Sequence, residues 1–211
     1  MNKKSGKIFK EIPGSRSQAF QESFVQNVLN FKIGGYFLEI GAADGVEASN
    51  TLLLEQHFRW NGISVEFDPE LHEKFLKFRE ATCVCEDATV WDSEKYLNSL
   101  IFPKRIDYLQ IDIDPAEQSL QALRNLALKS YRFSTITFEH DYYVNQSPDV
   151  RDTSREILSS LGYHLFFAGV ETRGRNFEDW WIDPQVAELR KYKDYHFEDI
   201  EAEELFQRID S

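Results

Sequence analysis

The chain has 211 residues, enough for one large domain, and 42% of them are hydrophobic, with 17 Phe, 9 Tyr and 4 Trp to fill a core, so wholesale disorder is excluded. Its 24 Lys plus Arg face 36 Asp plus Glu, and the formal charge of -12 opposes the electrostatic attraction that drives binding to DNA, RNA or an anionic membrane. No apolar run approaches the roughly 20 residues needed to span a bilayer, and the start MNKKSGKIFKEIPGS lacks the apolar stretch of a secretory signal. The expectation is a soluble, cytoplasmic protein with neither a nucleic-acid nor a membrane partner.

Residues 1–15 are polar with Gly6, Pro13 and Gly14 and read as a flexible arm. Over 16–31, Phe20, Phe24, Val28 and Phe31 recur at helical spacing. After Gly34-Gly35 the run YFLEI reads as a strand, and Ala48 to Phe58 as a helix. The alternation repeats with strand 62–67, helix 69–81 opened by Pro69, and strand 82–86. It continues through a looser segment at 91–100, strand 106–113, helix 116–128, strand 132–139, helix 150–161 and strands 162–169 and 177–183. Strands alternating with such helices imply an α/β fold with a mostly parallel sheet and helices on both faces; the last two strands are close enough for an antiparallel hairpin at one edge. The chain divides into the arm, a domain over 16–184 and an acidic tail over 185–211 read as a terminal helix. Arm and tail allow a homodimer without requiring one. Cys83 and Cys85 are one residue apart, which on a strand places their side chains about 7 Å from each other, beyond disulfide reach.

Ligands of open parallel sheets bind at the carboxyl ends of the strands, and the chemistry-bearing residues cluster there. Gly41 and Gly45 follow the first strand, Glu66 and Asp68 end the second, Asp87 the third, Asp112 and Asp114 the fourth, and Glu139, His140 and Asp141 the fifth. A dinucleotide loop needs G-x-G-x-x-G, but Ala43 and Val46 occupy its second and third glycine positions, and Glu39 and Asp44 would repel a pyrophosphate. A ligand with an ammonium and a sulfonium and no phosphate, S-adenosylmethionine, reverses that sign. Glu66 has two oxygens for two ribose hydroxyls, and Asp87 can accept from an adenine amino group. Individually the glycines suit turns, Glu66 a helix cap and Asp87 a surface position; their order along successive strand ends is what carries the reading.

The segments E-I-G-A-A-D-G (39–45), V-E-F-D-P (65–69), E-D-A (86–88) and I-D-Y-L-Q-I-D-I-D-P-A-E (106–117) resemble the FkbM family of class I S-adenosylmethionine-dependent methyltransferases, over roughly residues 34 to 140. The resemblance implies a Rossmann-like fold with a seven-stranded sheet. It also implies that Glu39, Gly41 and Gly45 line the methionine end, with Ala42, Asp44 and Asp68 on the same loops, that Glu66 holds the ribose, that Asp87 and Ala88 meet the adenine, and that Asp112 faces the methyl group. Gln110 stands where the family has lysine and Asp114-Pro115 where it has glutamate-glycine, departures that concern the substrate side and leave open a cofactor binder without turnover.

The resemblance points to O-methylation of a small acceptor such as a sugar, with an N- or carboxyl-directed enzyme as alternative. A hydroxyl acceptor must lose a proton, which requires a base or a metal. One scheme makes His140 the base, oriented by Asp112 or Asp141; the other uses Asp112, Glu139 and Asp141 to hold Mg2+. Trp180, Trp181, Tyr142 and Tyr143 are candidates for an acceptor wall, and Arg173 and Arg175 for gripping an anionic acceptor.

Overall fold

The computed structural model describes residues 8–145, 148–186, 189 and 196–207. In chain order the elements are β1 (Phe9–Lys10), α1 (Gln21–Val28), β2 (Tyr36–Ile40), α2 (Leu52–Phe58), β3 (Asn61–Glu66), α3 (Pro69–Phe78), β4 (Thr82–Cys85), α4 (Ser93–Ser99) and β5 (Arg105–Ile111). They continue with α5 (Ala116–Asn125), β6 (Arg132–Glu139), α6 (Tyr142–Asn145), α7 (Pro148–Ser160), β7 (His164–Thr172), β8 (Arg175–Ile182), β9 (Phe197–Glu201), α8 (Ala202–Leu205) and β10 (Phe206–Gln207).

Eight strands form one sheet in the order β4-β3-β2-β5-β6-β8-β7-β9. All neighbours are parallel except β6 with β8 and β8 with β7, so β8 alone runs against the rest. The hairpin of β7 and β8 is present, but it is not the edge: β9 pairs with β7 and adds an eighth strand outside it. The chain leaves β2 outward to β3 and β4, then returns to β5 on the other side of β2, so the strand order reverses between β2 and β5. Crevices open at such a reversal.

Each face of the sheet has its own apolar core. Leu38, Ile40, Val65, Leu109, Ile111 and Trp181 pack on one side; Phe24, Phe37, Trp60, Tyr108, Phe167 and Trp180 pack on the other. Adjacent strand residues point to opposite faces, which is why both Trp180 and Trp181 are fully buried, one in each core. Trp180 stacks on Phe24 of α1 with ring centroids 4.7 Å apart. Neither tryptophan is available to wall an acceptor pocket.

The ends of the chain depart from expectation. The arm is docked where described: Phe9 is 4% exposed, pairs with Phe206, and Ile8 N donates to Leu205 O at 3.1 Å. The tail is not one helix, since residues 197–207 are strand, one helical turn and strand; residues 1–7, 187–188, 190–195 and 208–211 lie outside the described residues. The 91–100 segment holds α4, capped by Asp92, whose side chain accepts from Lys95 N at 3.0 Å. Cys83 and Cys85 are both free thiols.

Candidate functional site

A cavity of about 670 Å³ opens at the carboxyl ends of β2, β3, β4 and β5. The glycine loop after β2 forms its floor. Gly41 is at φ +81°, and a Cβ there would sit 1.8 Å from the carbonyl oxygen of Asp112, so β5 approaches the loop too closely for any side chain. Gly45, at φ +74°, is pressed against Phe75 of α3 in the same way.

Six of the loop's backbone donors, from Gly41 to Glu47, are spent internally. Gly41 N and Ala42 N donate to Val65 O, Gly45 N to Ala42 O, Ala43 N to Glu66 Oε2, and Val46 N and Glu47 N to Asp44 Oδ1. A phosphate cradle presents such groups to its ligand, and these six amides are turned to protein acceptors instead. Asp44 therefore holds the turn and does not line the cavity. Gly45 likewise supports the loop from outside the cavity wall.

Glu66 is 8% exposed and lines the cavity, with Oε2 accepting from Ala43 N at 2.7 Å and Oε1 from Asp68 N at 2.8 Å. Two backbone anchors fix its carboxylate, and each oxygen keeps a second lone pair. Asp68 caps α3, accepting from Glu70 N and Leu71 N at 2.7 and 3.2 Å, while also facing the cavity. Asp87 lines the cavity beside Ala88, its Oδ1 held by the amide and hydroxyl of Thr89 at 2.9 and 2.7 Å.

Glu39 also borders the cavity but is 2% exposed, and both of its oxygens are engaged, by Thr51 Oγ1 at 2.8 Å and Ser64 Oγ at 2.6 Å. Burial raises its pKa, against the opposing effects of Arg79, Ser64 and Thr51. Arg79, at the end of α3, is the hub that the sequence did not disclose. Its guanidinium donates to Glu55 Oε2 at 3.1 Å, Gly45 O at 2.9 Å, Thr51 Oγ1 at 2.8 Å and Ser49 Oγ at 3.3 Å, and lies 4.7 Å from the Phe75 ring centroid. A chain Arg79, Thr51, Glu39, Ser64 thus runs behind the glycine loop. Nothing in the local pattern marks Arg79 as other than a surface residue ending an amphipathic helix.

At the far end of the cavity Asp112 and Glu139 face each other. Burial pushes Asp112 up to about 6; burial, then the charges of Asp112 and Asp141, push Glu139 up to about 12. Glu139 is therefore a carboxylic acid at neutral pH, within hydrogen-bonding reach of Asp112 and Asp141. This corrects the metal scheme: Asp112 and Asp141 each lie against Glu139, and among the described residues no three acidic, histidine or cysteine side chains are arranged to hold a metal ion.

The base scheme changes too. His140 does not reach the cavity: its side chain is fully buried, Nδ1 accepts from Tyr142 N at 3.2 Å, and Nε2 is 3.4 Å from Asp179 Oδ1. Asp179 is buried, and Arg155 at 2.7 and 2.8 Å together with His140 outweighs the cost of burial, holding it at about 2. His140 N and Asp141 N both donate to Phe177 O, and Asp141, at φ +45°, turns the chain so that His140 faces the sheet and Asp141 lies outside the cavity wall. Tyr142 and Tyr143 sit under Arg151 and Arg175 at 3.8 and 5.4 Å, off the cavity, and Arg173 is exposed in the hairpin turn.

Every charged side chain lining the cavity is a carboxylate; no lysine, arginine or histidine lines it among the described residues. That acceptor-rich wall fits the ammonium, sulfonium, ribose hydroxyls and adenine amino group of S-adenosylmethionine and opposes a phosphate-bearing ligand.

No protein-family model and no curated protein sequence matches the chain. Solved structures do. The fibrillarin/Nop5p complex is 16% identical with a TM-score of 0.52, covering 79% of each chain. The human methyltransferase 10 domain containing protein is 13% identical with a TM-score of 0.52, covering 81% of this chain and 83% of its own. A SAM-dependent methyltransferase from Aquifex aeolicus is 12% identical with a TM-score of 0.50, covering 82% and 94%. With the strand order and the crevice at its reversal, these likenesses show that the chain has the Rossmann-like fold of class I methyltransferases.

Proposed function

We propose that the protein is an S-adenosylmethionine-dependent methyltransferase of FkbM type that acts in the cytoplasm on a hydroxyl of a sugar or another small hydroxylated metabolite. The observation that carries the cofactor is the cavity wall: carboxylates on successive strand ends, no basic side chain among the described residues, and a glycine loop whose amides from Gly41 to Ala43 are bonded within the protein.

Glu66, anchored by two backbone amides, offers its remaining lone pairs to the ribose hydroxyls without reorganising. Asp87 and the Ala88 backbone stand at the β4 end for the adenine. Bound S-adenosylmethionine supplies a methyl group activated by its positive sulfur. In-line transfer then depends on holding the acceptor close and aligned. Asp112 is the group placed to take the acceptor's proton: it lines the cavity, and at about 6 it is ionised at neutral pH yet more basic than an ordinary carboxylate. Glu139, protonated beside it, donates to that carboxylate and positions it. The acidic acceptor end suits an amine as well, so the acceptor panel for activity includes amines.

Isothermal titration tests the cofactor reading. S-adenosylhomocysteine is expected to bind, with affinity reduced about 10–100-fold in Glu66→Ala through loss of charged hydrogen bonds to the ribose. Tighter binding of NADH than of S-adenosylhomocysteine sinks the reading.

A further inference from the structure

S-adenosylmethionine carries an α-carboxylate as well as its cationic groups, and no charged side chain of the cavity wall suits it. Every charged lining group is negative, and the amides of Gly41, Ala42, Ala43, Gly45, Val46 and Glu47 are bonded elsewhere. Asp112 N is spent on Ile40 O, and Ile113 N on Ser119 Oγ. Of the uncharged side chains on the wall, the Thr89 hydroxyl donates to Asp87, Gln18 and Gln118 are exposed, and the Ser49 hydroxyl accepts from Leu52 N and an Arg79 N–H while its own proton is free to donate.

Two buried amide side chains remain. Asn50 is 6% exposed and Gln110 is 2% exposed, both line the cavity, and Asn50 Oδ1 and Gln110 Oε1 have no hydrogen-bond partner among the described residues. Buried amide groups without partners are uncommon and call for an explanation. Both lie at one end of the cavity. Gln110 is opposite Glu39 in the β2–β5 ladder, and Asn50 precedes Thr51, which bonds Glu39. Glu66 and Asp87, assigned to ribose and adenine, lie at the ends of β3 and β4.

We infer that Asn50 and Gln110 are the specificity residues for the zwitterionic amino-acid end of the cofactor, their amide N–H groups receiving its α-carboxylate and their carbonyl oxygens its α-ammonium. This rests on the proposed cofactor. An uncharged amide serves both poles of a zwitterion, whereas a lysine or arginine in the same place would cancel the negative face that the sulfonium needs. Gln110 thereby gains a role that its place in the β5 motif did not reveal.

The experiment titrates the full-length protein and its Asn50→Leu, Gln110→Met and Gln110→Glu variants with three nucleosides. S-adenosylhomocysteine carries both poles, its decarboxylated analogue only the amine, and 5′-methylthioadenosine neither. Asn50→Leu and Gln110→Met are expected to lose about 10–100-fold in affinity for S-adenosylhomocysteine, the worth of a charged hydrogen bond, with the affinity for 5′-methylthioadenosine unchanged within about twofold. Gln110→Glu is expected to lose S-adenosylhomocysteine and retain the decarboxylated analogue. Because this variant preserves side-chain length and a polar end, it carries the test if Gln110→Met does not fold. Equal losses for S-adenosylhomocysteine and 5′-methylthioadenosine, or no loss, overturn the inference while leaving the cofactor reading intact. A wild-type protein that binds none of the three overturns both.

Discussion

Replacing Arg79 with methionine removes a guanidinium that ties three parts of the site together, and the structure sets the size of the effect. The Arg79 side chain is fully buried and that of Glu55 is 8% exposed. Methionine retains the packing on Phe75 but leaves Glu55 with only the amides of Glu80 and Ala81, at 3.0 and 3.1 Å, and removes the bonds to Gly45 O and Thr51 Oγ1. Breaking a buried ion pair by deleting one partner costs about 3–5 kcal/mol, a large part of the roughly 5–15 kcal/mol that a domain has in total. For a chain of this size that corresponds to a fall in melting temperature of about 6–20 °C. Scanning calorimetry of Arg79→Met measures it, and titration with S-adenosylhomocysteine on the surviving folded protein is expected to show weakened binding, since the loop loses its tie at Gly45. Arg79→Lys restores the charge without the multiple directed donors and is expected to fall between. A drop below about 2 °C in Arg79→Met, under roughly 1 kcal/mol, would refute the view that this side chain holds the glycine loop in place.

Two glycines at positive φ separate close approach from simple turn geometry. Gly41→Ala would drive a Cβ to 1.8 Å from a backbone oxygen, while at Gly34, φ +71°, it meets nothing within 4 Å. Gly34→Ala is expected to cost about 1–2 kcal/mol in chemical denaturation, and Gly41→Ala to abolish S-adenosylhomocysteine binding or folding. For pH, burial raises Asp112 from 3.8 to about 6, so the native state binds its proton more tightly than the unfolded chain. Stability from this group is therefore present at low pH and falls as pH rises from about 4 to about 6, by on the order of 3 kcal/mol. Asp112→Asn is expected to flatten that decline in urea titrations at pH 5 and 7, while wild-type methyl transfer rises through pH 6 as the carboxylate forms. His140→Gln is expected to lower the melting temperature and leave the pH profile of transfer where it was; a lost pH 6 limb would return His140 to the chemistry.

The strand ends were legible because the sheet's topology depends on the alternation of apolar runs with helices. YFLEI and RFSTITFE were read to the residue, as Gly34-Gly35, Gly41 and the charged residues around them mark where apolar pairing must stop. Helix α1 begins at Gln21, later than its spacing predicts, because Phe20 sits in the left-handed region at φ +63°, which periodicity does not register. Strand β9, FEDIE, has little intrinsic β character and forms by pairing along β7, and Phe9 docks through its pairing with Phe206, so both depend on partners far away in sequence. The same division runs through the site. Glu66 ends β3, Asp87 stands just past β4 and Asp112 follows β5, all facing the cavity, whereas His140 follows β6 as directly as Asp112 follows β5 but is turned inward by the hydrogen bonds of Phe177 O.

The placement of Arg79 also explains how so acidic a cavity is maintained. A buried carboxylate such as Glu39 carries a desolvation cost that is most simply offset by a cation beside it. A cation in the cavity would repel the sulfonium and ammonium of the proposed cofactor. Here the cation stands behind the wall: Arg79 reaches Glu39 through the Thr51 hydroxyl, which accepts from the guanidinium and donates to the carboxylate. Arg79 does not line the cavity. Stability is thus supplied from the α3 side of the loop, leaving the opposite side negative toward the ligand. Moving the charge forward, as Asn50→Lys would, should bring a cation beside Glu39 and trade affinity for the nucleoside against stability.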